Sequence, residues 1–224
     1  MGDFLFRNRC LILFLAMSIC CTAQTRRDDE PYCDEPSKRV DITDADATII
    51  GLTIGHSSLD DVQAKLGRAQ VARVSREEES DVSICYVSAI DRTILVFYSG
   101  AMGGWKDITS FALWSREAVF PSASQCALST LVSQNIATDS GLRLGLTKEE
   151  LQEKAGPTTK SSLSSTRYNY FCRRKMTPGE IKGFKDTNNW DVRRDPYFDR
   201  MSWIELHYVK SASSRIEVGR IESY

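Results

Sequence analysis

The sequence predicts an α+β fold of two tandem units, each a short helix packed on an antiparallel sheet of three to four strands. Three observations predict it. A helix start-and-stop pattern occurs twice, once around Ser58 and once around Thr147. Each occurrence is followed by runs of β-branched and aromatic residues that read as strands. Four cysteines outside the N-terminal segment, Cys33, Cys85, Cys126 and Cys172, are distributed along both units in the same order.

The N-terminal 23 residues read as a cleavable export signal. Arg7 and Arg9 form a positive n-region, residues 11–19 an apolar core and Cys21-Thr22-Ala23 a small-residue exit, so cleavage is expected near Ala23. The apolar run is shorter than the roughly 18 residues that a crossing helix needs, so no transmembrane segment is expected in the mature chain. Cys20 and Cys21 sit at the depth of a lipidation site, but Met17-Ser18-Ile19 departs from the usual Leu-small-small approach. The expected location is secreted or periplasmic. Residues 24–40 are rich in charge and proline and read as a flexible lead-in tethered at Cys33. The two units are then expected at 41–118 and 119–224.

The helix pattern has a physical basis. Ile50-Gly51-Leu52-Thr53-Ile54-Gly55 precedes Ser58, and Ser140-Gly141-Leu142-Arg143-Leu144-Gly145 precedes Thr147. Ser58 with Asp61, and Thr147 with Glu150, have the spacing of a capping box. Acids in the first turn favour the helix dipole, and Gly67 and Gly156 are expected to stop each helix in a left-handed turn. Helices this short need tertiary support, so Leu59, Val62 and Leu66, and Leu151 and Ala155, must pack on something. The strands expected beneath them are 82–87, 93–98 and 108–114 in the first unit, and 167–173, 201–209 and 215–221 in the second.

An even set of cysteines in an exported chain reads as two disulfides, with three connectivities open. The repeat favours one bridge within each unit, Cys33–Cys85 and Cys126–Cys172. Without the signal, 27 basic and 29 acidic side chains remain, a formal charge of −2. That balance gives no electrostatic footprint for nucleic acid or for an anionic membrane.

The string from Gly51 to Gly67 and its echo from Leu142 to Pro157 resemble the SmpA/OmlA superfamily of BamE-type outer-membrane assembly lipoproteins. Two such units in tandem are similar to the beta-lactamase inhibitor protein family. The sharp part of the match is under twenty residues per copy. The resemblance implies a periplasmic or secreted protein-binding scaffold, and no inhibitory contact residue maps onto this chain.

No HExxH, GxSxG, P-loop or dinucleotide fingerprint is present, so no catalytic residue, metal or cofactor is assigned and the protein is not expected to be an enzyme. His56 and His207 read as structural histidines. Asp41, Asp44 and Asp46 read as a solvated acidic linker, because the Gly turn and terminal Glu of a calcium loop are missing. A Cys172–His207 nucleophile would need a free thiolate and would leave another cysteine unpaired. The better candidate for function is an inserted loop at 177–200, TPGEIKGFKDTNNWDVRRDPYFDR. Its Trp190, Arg193, Arg194, Tyr197 and Phe198 are residue types that dominate binding hot spots. Trp105, in the glycine-rich turn 100–107, is a second candidate. The expected function is recognition of another envelope or extracellular protein, inhibitory in its sharpest form, through this loop and an open sheet face. Envelope assembly, or a hydrolase without a recognisable motif, are the alternatives.

Overall fold

The first three helix starts carry the same capping device. In α1 (Asp44–Ala47) the partners are Thr43 and Asp46, in α2 (Leu59–Leu66) Ser58 and Asp61, and in α3 (Lys148–Ala155) Thr147 and Glu150. Ser58 Oγ accepts the Asp61 N–H at 3.2 Å while the Asp61 carboxylate accepts the Ser58 N–H at 2.8 Å. Each box satisfies two donors that the helix itself leaves orphaned. Gly67 and Gly156 stop α2 and α3, as expected, but not in a left-handed turn. Their φ values of 94° and 82° are combined with ψ of 168° and −163°, an extended region essentially confined to glycine.

The computed structural model describes residues 31–35, 39–76, 79–118, 120, 125–188 and 196–223. The signal segment and Trp190, Arg193 and Arg194 lie outside the described residues. The strands are β1 (Thr48–Ile49), β2 (Leu52–Thr53), β3 (Val71–Arg76), β4 (Glu79–Ser88), β5 (Ile94–Ser99), β6 (Ser110–Trp114), β7 (Ala127–Ser129), β8 (Lys160–Ser161), β9 (Ser165–Lys175), β10 (Tyr197–Val209) and β11 (Ala212–Ser223). β1 and β2 form a small hairpin. The rest form one sheet in the order β3-β4-β5-β6-β11-β10-β9-β8, with β7 alongside β4. The fold is therefore mixed α+β, dominated by antiparallel strands. Its two four-strand meanders meet where β6 pairs antiparallel with β11. All six expected strands form. β8 escapes a sequence reading because it is a two-residue edge strand with both side chains exposed.

One core serves both meanders. Leu59, Val62 and Leu66 of α2, and Leu151 and Ala155 of α3, pack on a sheet face carrying Tyr86, Phe97 and Phe111 from one meander and Tyr168, Ile204 and Val218 from the other. Two buried tyrosines tie helix ends to this face. Tyr86 Oη donates to Gly67 O at 2.7 Å, and Tyr170 Oη donates to Ala155 O at 3.1 Å. Burial pushes both phenols up to about 12.

The disulfides are Cys33–Cys172 and Cys85–Cys126, which corrects the pairing expected from the repeat. The reason is strand parity. Cys172 shares the helix-side face with Tyr168 and Tyr170, whereas Cys85 lies between the inward Ile84 and Tyr86 and points to the opposite face. Cys33 reaches β9 from its edge, where the Cys33 N–H donates to Arg173 O and the Arg173 N–H to Pro31 O.

The acidic linker is corrected as well. Asp46 is buried, capping α1 and pairing with Arg39 at 2.6 Å. Asp41 pairs with Arg200 at 2.7 Å and Asp44 with Arg220 at 2.9 Å. Nor is 177–200 a loop throughout. Residues Pro178–Asn188 form α4, and β10 begins at Tyr197. Thr177-Pro178-Gly179-Glu180 carried the signal, a capping box with proline at the first helical position. The Thr177 N–H donates to the Glu180 carboxylate at 2.7 Å.

Candidate functional site

Alternation along β9 and β10 sends one set of side chains away from the helices. Phe171 stands opposite Met201, and Trp203 stands opposite both Asn169 and Gly219. Phe171 is 52 % exposed, and Met201, Trp203 and Ile221 are half-buried. Trp203 lies over the Gly219 backbone so closely that a Cβ there would sit 2.1 Å from the ring. Glycine at this position thus lets the indole lie flat on the sheet. The strip continues to Tyr197, whose ring is 5.4 Å from that of Tyr32 and lies under the Arg173 guanidinium at 4.7 Å.

Charged pairs border this strip. Arg167 reaches Glu205 at 3.3 Å, and Glu205 accepts or pairs with His207 Nε2 at 2.9 Å. Arg167 Nε also donates to Asn169 at 2.8 Å. Beyond them Arg215 lies 4.3 Å over the Trp114 ring and pairs with Glu217. The same sheet face in the first meander is covered. There Phe120 packs edge-on to Trp114 at 5.3 Å, and Cys126 bonds Cys85 beside Val96 and Tyr98. The aromatic strip therefore belongs to the second meander.

The sequence-predicted residues separate. Tyr197 joins the strip. Phe198, its neighbour, shares the opposite face with Arg200 and lies 5.0 Å under Arg174. Trp105 is 45 % exposed, but its turn is anchored to the helix layer, where Leu59 N–H donates to Lys106 O and Ile108 N–H to Ser57 O. Tyr86, Tyr168, Tyr170 and Tyr208 all enter the core. Tyr32 and Phe171 were missed. The tether at Cys33 marked Tyr32, and the alternation of β9 marked Phe171.

Other clusters are built differently. Cys33, Asp41 and Cys172 place ligand-type atoms within 4.8 Å, but the two sulfurs are bonded to each other. That bond also removes the thiolate a Cys172–His207 pair would need. His56 lines a cleft of about 480 Å³ with Arg174, Arg200, Arg220, Glu180 and Glu222. In this cleft the hydrogen bond from Arg174 holds the Glu180 carboxyl at about 2. Burial raises Glu222, but Arg174 and Arg200 outweigh it and leave the group below its ordinary value. A second cleft, of about 700 Å³, lies at the other end of the β6–β11 seam, between the turns at Ile90, Arg116, Arg143 and Val209.

Two disulfides of this kind belong to an oxidising compartment. Among the described residues no helix is long and apolar enough to cross a membrane. No family model and no curated protein matches the chain. Among solved structures it is similar to a candidate beta-lactamase inhibitor protein from Streptococcus mutans. The identity is 9 %, the TM-score 0.24, and the match covers 75 % of this chain and 82 % of that one. A likeness at that level carries no argument about function.

Proposed function

We propose that this chain is an exported, non-enzymatic recognition module whose open sheet face grips a folded protein. The observation that carries this reading is the strip Tyr32, Tyr197, Phe171, Met201 and Trp203, the last four on paired strands, bordered by paired charges. Aromatic, methionine and arginine side chains of this kind are enriched at interface cores, with polar groups at the rim. Strands hold such anchors with little ordering cost on binding.

Two matched sets of hydrogen bonds support the reading that the meanders are copies of one unit. Gly55 N–H donates to Ile108 O just before β6, and Gly145 N–H donates to Ser213 O at the start of β11. Tyr86 and Tyr170 cap the ends of α2 and α3 alike. If the units are such copies, the resemblance of the repeat supports an inhibitory role, and hydrolysis by a serine beta-lactamase is the first activity to assay with the purified chain.

The test is a photo-crosslinking side chain at position 171, used in the source envelope and medium. Phe171→Asp is expected to weaken binding of the crosslinked protein by about 30-fold or more, the scale of a hot-spot loss of about 2 kcal/mol. Glu153→Ala, on the exposed side of α3, is the control and leaves binding unchanged. A partner held equally by the wild type and Phe171→Asp refutes the assignment of this face.

A further inference from the structure

The most exposed aliphatic side chains collect at one end of the sheet. Leu163 at the β8–β9 turn is 97 % exposed, Ile90 at the β4–β5 turn 81 %, and Leu128 70 %, with Leu131 and Val209 exposed as well. Backbone contacts join these turns into one rim. Ser164 O accepts the Tyr208 N–H at 2.9 Å beside Val209, and Ser129 O accepts the Ala89 N–H at 3.3 Å beside Ile90. Val209 and Ile90 then line the two sides of the larger cleft. Serines flank Leu163 on both sides, in Ser161-Ser162-Leu163-Ser164-Ser165.

The same turns carry exposed cations, Arg92, Arg116, Arg143 and Lys210. Their acidic neighbours are Asp91 and Glu117. The Asp91 carboxylate accepts the N–H groups of Thr93 and Gln134 at 3.0 and 2.8 Å and keeps its charge, so in these turns four cations stand against two acids. The near-neutral balance of the whole chain conceals this local excess.

Isolated aliphatics on separate turns do not resemble a protein-interface core, which is contiguous and rich in aromatics. They fit a lipid interface, where apolar side chains enter the headgroup–acyl boundary and nearby cations meet anionic headgroups. We infer that this end of the protein docks on an anionic lipid surface. Ile90, Leu163 and Val209 enter the interface, and Arg92, Arg116, Arg143 and Lys210 face the phosphates. The rim is separate from the aromatic strip, so lipid docking and partner recognition use different surfaces.

The experiment is co-sedimentation of the full chain with phosphatidylcholine vesicles, with and without about one-third phosphatidylglycerol. The wild type is expected to partition onto the anionic vesicles and to be released by high salt. Ile90→Asp/Leu163→Asp and Arg116→Glu/Lys210→Glu are each expected to reduce partitioning at least about tenfold. All four positions are exposed, and circular dichroism confirms that the fold is retained. Phe171→Asp is expected to leave vesicle binding unchanged, so failure of the lipid proposal is distinguishable from failure of the recognition face. The inference is overturned if the wild type ignores both vesicles, or if both double variants partition as the wild type does. Lipid-independent capture of a protein through Ile90 and Leu163 would overturn it equally.

Discussion

Gly219→Ala tests the packing that shapes the open face. Gly219 has no positive φ, so alanine suits its backbone, and the obstacle is the Trp203 ring alone. A Cβ would lie 2.1, 2.4 and 2.4 Å from Cζ2, Cε2 and Cη2, so the indole must move by more than an ångström to restore van der Waals contact. Overpacking of this sort costs about 1–3 kcal/mol. Replacing a strand glycine by alanine returns roughly 0.5–1 kcal/mol through the unfolded state. The net expectation is destabilisation of about 0.5–2 kcal/mol. In a Trp203→Ala background the clash is gone, and the same substitution should be neutral or stabilising. The coupling between the two positions is therefore about 1–3 kcal/mol, measured by urea denaturation followed by far-UV circular dichroism with disulfides intact. If the single effects add to within about 0.5 kcal/mol, Trp203 does not rest on Gly219 and the flat aromatic strip is wrong.

Further predictions concern the bridges and the charged cleft. Non-reducing peptide mapping should recover Cys33–Cys172 and Cys85–Cys126, and a Cys33–Cys85 peptide would contradict the strand parity described above. Removing Cys33–Cys172 should destabilise more than removing Cys85–Cys126, because the first closes 139 residues and the second 41. In the chain-entropy account the upper limits are about 5 and about 4 kcal/mol, read from denaturation midpoints of the paired serine variants. Glu180 titrates at about 2 when folded, against an ordinary value of 4.5. A carboxyl lowered by folding contributes stability that is present above its unfolded value and lost as pH falls through its folded one. Thermal stability should therefore decline between pH 4.5 and pH 2, and Glu180→Gln should flatten part of that decline. An unchanged acid limb in the variant would show that the Arg174–Glu180 pair contributes nothing there.

Much of the local architecture is legible in the chain itself. Ser58-Asp61 and Thr147-Glu150 specify their helix starts because both partners lie within one turn. The runs at 93–98 and 201–209 form strands because their residue types suit a pleated surface whatever they pair with. Thr43-Asp46 and Thr177-Glu180 carried the same capping signal, so α1 and α4 were also legible, though the acids of one and the length of the other segment drew the reading toward loops. The α+β class follows from these short-range terms, as does the expectation that four cysteines form two bridges. Tertiary structure decided the rest. Which cysteine meets Cys172 depends on sheet face and on where the lead-in crosses the β9 edge. Asp41, Asp44 and Asp46 become buried or paired because Arg200, Arg220 and Arg39 arrive from distant elements. The strip from Tyr32 to Trp203 exists because strand register sets Phe171 beside Met201 and Trp203 on Gly219. Helix caps and strand preferences act over a few residues and are written in the sequence. Register, face and exposure arise from contacts between segments up to 178 residues apart, and folding alone brings those together.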